Sequence, residues 1–103
     1  MAEINVVLIE NEGKNLLRFD IIDNSINIDL NSEEQESLRT LFNRLLNVAV
    51  NEEITLKLKI SEGYNNVLFK EIAVEYIEQL NTEIKLIRDN WFSQLDNNDI
   101  AVD

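Results

Sequence analysis

The chain of 103 residues carries 20 acidic side chains against nine basic ones, a net charge of −11, and contains neither cysteine nor histidine. Disulfides and cysteine-ligated metals are therefore excluded, and the commonest general base and metal ligand of proteins is missing. The length suits one domain with one core. Nucleic acid and anionic membrane surfaces would be repelled by this charge, whereas a basic protein would be attracted.

The first thirty residues predict three β-strands joined by short turns. Apolar and polar side chains alternate over residues 4–10, 15–22 and 25–30, as is typical of strands. Gly13 lies in the first turn, where glycine adopts a positive φ most easily, and residues 23–24 form the second. The first strand has apolar residues on both sides, which favours a position inside the sheet.

A helix and a fourth strand follow. Either Asn31 or Ser32 can cap the helix, which is predicted to run to about Val50. Strict alternation over residues 54–60 predicts the fourth strand. Because a helix of this length returns the chain to the side it left, this strand is expected to run parallel to the first.

The longest predicted element is a helix over residues 66–95, which contain neither glycine nor proline. Its apolar stripe consists of Ala73, Ile77, Leu80, Ile84, Ile87 and Trp91. Its opposite, largely acidic stripe consists of Glu71, Glu75, Glu78, Thr82, Lys85 and Asp89. The aromatic residues expected in the core are Phe19, Phe42, Phe69 and Tyr76. Residues 96–103 are predicted to be a flexible acidic tail.

Together these elements predict a single acidic α+β domain over residues 1–95, a two-layer sandwich with the order βββαβα. The four-stranded mixed sheet is expected in the spatial order 3-2-1-4, with both helices on one face. No segment is long enough to span a membrane, and the first residues lack the basic start of a signal peptide. A cytoplasmic location is therefore expected.

The sequence offers little for catalysis. Its carboxylate pairs lie in predicted turns and at a helix start, where solvation and capping account for them. Two isolated glycines make no phosphate-binding loop, and a serine or threonine nucleophile would lack a histidine partner. The tail resembles part of a calcium loop, but Ile100 and Ala101 stand where that loop needs an oxygen ligand and a glycine. We expect no enzyme, no cofactor and no metal site.

The favoured interpretation is a non-enzymatic binding protein, of the inhibitor or immunity type, that blocks a basic partner which handles nucleic acid. Nuclease inhibitors, immunity proteins and phage-encoded inhibitors of host defence include small acidic α+β proteins, an analogy of class and charge only. The predicted partner-binding residues are Glu71, Glu75, Glu78 and Asp89. The alternative is a self-associating structural subunit or adaptor, in which the charge only maintains solubility.

The long helix also predicts a homodimer. Thirty helical residues span about 45 Å, whereas strands of six or seven residues reach only about 20–23 Å. The end of the helix should therefore overhang the sheet. The predicted dimer interface consists of Ile84, Ile87, Trp91, Phe92 and Leu95. The alternative is a break near Asn81 or at residues 89–90, with the end of the helix folded back over the first helix.

Overall fold

The computed structural model describes residues 2–22, 24–32 and 35–102, with side chains described as far as residue 94. The elements are β1 (Ala2–Asn11), β2 (Lys14–Ile21), β3 (Asn24–Asp29), α1 (Gln35–Asn51), β4 (Ile54–Ile60) and α2 (Val67–Val102). The predicted order βββαβα is confirmed. None of the helices in this part of the chain combines the length and the apolar character needed to cross a membrane.

The sheet has the predicted spatial order, β3-β2-β1-β4. The pairs β1–β2 and β2–β3 are antiparallel, whereas β1 and β4 are parallel. The β1–β2 connection turns at Glu12 and Gly13, with φ values of 52° and 77°. Two consecutive positive φ values match the right-handed twist of a tight hairpin, and Gly13 adopts its value without steric cost.

The core lies between one face of the sheet and the two helices. Alternate strand residues are buried there, including Ile4, Val6, Leu8, Leu17, Phe19, Ile28, Ile54 and Leu56. The helices contribute Leu41, Leu45 and Ala49 from α1, and Ala73, Ile77, Leu80 and Ile84 from α2. The other face of the sheet is exposed or half-buried and carries mostly polar side chains. Both helices therefore cover the same face, as predicted.

A hydrogen-bond network joins the start of β2 to two connections at one end of the sheet. The Tyr64 hydroxyl, 7% exposed, donates to Asn15 Oδ1 at 2.6 Å. The backbone N–H of Asn15 donates to Asn31 Oδ1 at 2.8 Å. Asn31, considered from the sequence as a cap for α1, therefore binds β2 with its side-chain oxygen.

Helix α2 is continuous from Val67 to Val102. Asn66 caps its start, because its side-chain oxygen accepts the N–H of Phe69 at 3.2 Å. The alternative of a break near Asn81 or at residues 89–90 is wrong. The radius of gyration is 16.0 Å, larger than the value of about 13 Å for a compact domain of this size. An unbroken helix of this length agrees with such an extended molecule. The helix thus continues past its predicted end at residue 95. The structure does not describe the side chains after residue 94, and the flexibility of residues 96–103 stays a prediction.

Candidate protein-binding site

The predicted partner-binding residues lie together on the solvent side of α2. Glu71, Glu75, Glu78 and Asp89 are all exposed, and we call this set the acidic face. They are exposed because Ala73, Ile77 and Ile84 turn the opposite side of the helix into the core. At a rise of 1.5 Å per residue, the face extends for about 27 Å from Glu71 to Asp89.

The carboxylates of the acidic face have no cationic partner within the described part of the chain. The ion pairs found there join Arg18 to Asp20 at 3.2 Å and Lys57 to Glu3 at 3.1 Å, both on the sheet. Thr82, within the same stripe, donates its hydroxyl to the carbonyl of Glu78 at 3.0 Å. The carboxylates of the acidic face therefore face solvent, and Lys85 is the one basic residue of the same stripe.

An apolar groove, which was not predicted, lies beside the acidic face between α1 and α2. It has a volume of about 500 Å³ and is lined by Leu38, Arg39, Leu41, Phe42, Asn43, Tyr76, Gln79, Leu80 and Glu83. Leu41 and Leu80 are buried, while Leu38, Phe42 and Tyr76 are partly buried. Burial raises the pKa of Tyr76 above its ordinary value, and the nearby Glu83 carboxylate raises it further.

The sequence interpretation missed this groove because it assigned Phe42 and Tyr76 to the core. Phe19 is fully buried as predicted, whereas Phe42, Phe69 and Tyr76 pack against the core with part of their surface exposed. One signal was present in the sequence. Leu68 and Ile72 precede Tyr76 at intervals of four residues, which makes a second apolar stripe beside the buried one.

The residues predicted to form the dimer interface occupy different environments. Ile84 is 2% exposed and belongs to the core of the single chain. Ile87 and Trp91 are half-buried, and Phe92 is 43% exposed. Leu95 lies outside the described side chains.

Arg88 connects α2 to the end of α1. Its Nε donates to the carbonyl of Ala49 near the end of α1 at 3.0 Å, and its guanidinium lies 4.6 Å from the centroid of the Phe92 ring. A cation at the C-terminal end of a helix is favourable for the helix dipole. Arg88 thereby holds α2 against the end of α1.

The outward face of the sheet is a second surface without a helix over it. Val7, Ile9 and Leu16 are half-buried at its centre, and Lys57 and Lys59 are exposed on β4. It carries charges of both signs, which include the ion pairs of Glu3 with Lys57 and of Asp20 with Arg18. This face is therefore less acidic than the chain as a whole.

The described side chains show no grouping of three or more acidic residues that could hold a metal ion. Every buried side-chain nitrogen or oxygen among them has a hydrogen-bond partner. The features left for function are the acidic face, the groove, the outward face of the sheet and the end of α2. No family model, curated protein or solved structure matches this chain.

Proposed function

We propose that this chain is a non-enzymatic protein-binding module that blocks a basic partner protein, with the acidic face of α2 as the contact. The observation that carries the proposal is the exposure of Glu71, Glu75, Glu78 and Asp89 on one side of a continuous helix, without cationic partners among the described residues. We further propose a cytoplasmic location and no enzymatic activity.

The acidic face carries an energetic cost that a basic partner would remove. Glu71 and Glu75 are four residues apart, and Glu78 follows three residues later. Like charges at these spacings destabilise a helix by about 0.2–0.5 kcal/mol per pair. Lysine or arginine side chains placed over the face would relieve this repulsion and steer the partner during encounter. Surfaces that bind nucleic-acid phosphates carry such residues, which is why we place the partner in that class.

The test is capture of the partner from the native cell by immobilised chain at low and at moderate salt. Wild-type chain is expected to retain a basic protein, and salt should weaken the capture because exposed charges are screened. The triple variant Glu71→Lys, Glu75→Lys and Glu78→Lys should lose the partner. A matched control reverses Glu12, Glu52 and Glu62, which are also exposed but lie outside α2.

The control separates the effect of the acidic face from the effect of net charge, because both triple variants change the net charge by the same amount. Loss of capture by both variants would reduce the effect to overall acidity. Retention by the α2 variant would remove the acidic face as the site. Failure of wild-type chain to retain any basic, salt-sensitive protein would contradict the proposed function itself.

A second candidate function is a self-associating structural subunit or adaptor, and apolar side chains exposed between Leu86 and Phe92 of α2 favour it. Leu86 is 63% exposed and Phe92 is 43% exposed, on different sides of the helix. Half-buried Trp91 continues the buried stripe beyond Ile84. Contiguous apolar surface is typical of interfaces, and on this segment the neighbouring Trp91 and Phe92 would contribute to it.

A further inference from the structure

We infer that the groove between α1 and α2 receives an amphipathic helix of the basic partner, with apolar residues in the groove and Lys or Arg along one flank. The inference rests on the proposed function and names the structural class of segment that the partner presents. It also assigns a role to the apolar surface, which the acidic face alone leaves unexplained.

The shape of the groove suits the apolar side of a helix. Leu41 and Leu80 form a buried floor, and Leu38, Phe42 and Tyr76 stand partly exposed around it. The volume of about 500 Å³ lies within the usual range of binding cavities. A partner helix presents anchors about 5–6 Å apart at positions i, i+3 and i+4, so neighbouring anchors can enter together.

The apolar surface continues along α2 beyond the groove. Leu68 is 61% exposed and Ile72 is 38% exposed, and both share the side of the helix that carries Tyr76. From Leu68 to Leu80 the helix rises about 18 Å, which matches about three turns of a partner helix. Apolar surface of this extent is more than a single side chain needs and fits a helical segment.

The charges around the groove select a partner helix with basic residues on one flank. Gln79 and Glu83 line the groove and also line the adjoining depression that contains Glu75, Glu78 and Thr82. The α2 side is therefore acidic, whereas the α1 side carries Arg39. A helix lying in the groove would place its lysines or arginines over α2 and a polar or acidic residue beside Arg39.

The same charges disfavour a second copy of this chain as the occupant. The sequence after Gln94 contains three aspartates and neither lysine nor arginine. Because the chain as a whole has a net charge of −11, a second copy would bring negative charge towards Glu75, Glu78 and Glu83. Because like charges in proximity oppose association, a basic helix is favoured.

The first experiment titrates synthetic helical peptides of about 18 residues into isotopically labelled full chain and follows amide and aromatic NMR signals. One peptide carries leucines at helical spacing and lysines on the flanks. A second keeps the leucines but has glutamates on the flanks, and a third keeps the lysines but replaces the leucines by glutamine. We expect only the first to bind, with shifts centred on Leu38, Phe42 and Tyr76.

The two control peptides decide what a positive result means. Equal binding of the glutamine peptide would show that charge on the acidic face suffices, and would overturn the groove as the docking site. Equal binding of the glutamate peptide would overturn the required basic flank. Absence of binding by the leucine–lysine peptide would overturn the inference as a whole.

The second experiment changes the groove without changing its charge. Leu38→Gln and Tyr76→Gln, made separately, should each weaken peptide binding about tenfold, since buried apolar anchors carry much of the affinity. Val50→Gln is the matched control, because Val50 is 57% exposed on α1 and does not line the groove. Tyr76→Phe keeps the ring and should retain binding. If Tyr76→Gln unfolds, Leu38→Gln still tests the groove, and unchanged peptide binding by a folded Leu38→Gln protein would overturn the inference.

Capture of the native partner distinguishes failure of this inference from failure of the proposed function. If the acidic-face variant loses the partner while both groove variants keep it, the proposed function stands and the groove is not the site. If wild-type chain captures no basic partner, the proposed function fails. If the groove variants instead change the sedimentation of the chain alone, the occupant is a second copy and the inference is overturned.

Discussion

The side-chain amide of Asn81 pairs with both backbone groups of Leu56. Its Oδ1 accepts the Leu56 N–H at 2.8 Å, and its Nδ2 donates to the Leu56 carbonyl at 3.1 Å. Since β4 is at the edge of the described sheet, this amide takes the place that a neighbouring strand would occupy. It satisfies part of an edge that could otherwise pair with another chain, and it fixes α2 along β4.

Replacing Asn81 by alanine should destabilise the fold by about 1–3 kcal/mol, because the two backbone groups of Leu56 would lose their partners. The stability of Asn81→Asp should lie between those of the wild type and Asn81→Ala. A carboxylate accepts the N–H of Leu56 but cannot donate to its carbonyl. Urea unfolding measures both variants. Asn90→Ala is the control, as Asn90 is exposed on the same helix. Equal effects at both positions would contradict the role of Asn81.

Removing the Tyr64 hydroxyl should cost about 1–2 kcal/mol of unfolding free energy. Tyr64→Phe keeps the buried ring but deprives Asn15 Oδ1 of the donor that lies 2.6 Å away. Tyr76→Phe provides the comparison, because its ring is only partly buried beside the groove. Thermal and urea unfolding of the two variants should differ clearly. A Tyr64→Phe protein as stable as the wild type would show that the network does not stabilise this end of the sheet.

Stability is expected to fall as the pH rises above about 10, the ordinary pKa of tyrosine. Burial, and then the carboxylate of Glu10, raises the pKa of Tyr64, while burial and then Glu83 raise the pKa of Tyr76. The unfolded chain therefore releases these protons at lower pH than the folded chain. The stabilisation is complete below the unfolded pKa and is lost as the pH rises through the folded pKa.

The measurement is the thermal midpoint at pH values from about 8 to about 11, a range that includes the ordinary pKa of tyrosine. Tyrosinate absorbance is recorded over the same range. The double variant Tyr64→Phe and Tyr76→Phe should show a shallower decline. Both proteins carry the same lysines, so the difference between them reports the tyrosines. Identical slopes would contradict a tyrosine contribution.

The wild-type chain should sediment as a dimer at equilibrium at micromolar concentrations, through the end of α2. Trp91→Ala should shift the equilibrium towards monomer while the circular dichroism of the strands is retained, since large aromatic residues often carry interface energy. Ile22→Ala is the control, because Ile22 is 77% exposed and lies in the turn after β2, away from α2 in the sequence. A wild-type chain that sediments as a monomer would exclude this interface.

Removal of divalent metal should leave the thermal midpoint and partner capture unchanged. The chain has no histidine or cysteine ligand, and a ligand that binds only the folded state would raise stability by mass action. The measurement is thermal unfolding with EDTA and then with excess calcium or magnesium. A midpoint that falls with EDTA and recovers with either metal would reveal a carboxylate site.

The element order and the sheet order could be predicted because burial leaves a local periodic pattern in the chain. Ile4, Val6 and Leu8 alternate with residues that are themselves partly apolar, which indicated a central strand with cover on one side. The acidic face was predictable for the same reason, since helical spacing alone assigns Glu71 and Glu75 to the side opposite Ala73. Net charge, likewise a property of composition, indicated the class of partner proposed here.

Only the tertiary structure decided how distant segments meet. Asn81 was considered as a breaking point of α2, yet its partner Leu56 is 25 residues away, and no local pattern reports such a contact. Tyr64 joins a strand 49 residues away for the same reason. The groove between α1 and α2 also escaped prediction, because periodicity shows which side of a helix is buried but not how closely two helices approach. Their separation leaves Phe42 and Tyr76 partly exposed, and it depends on the packing of the whole domain.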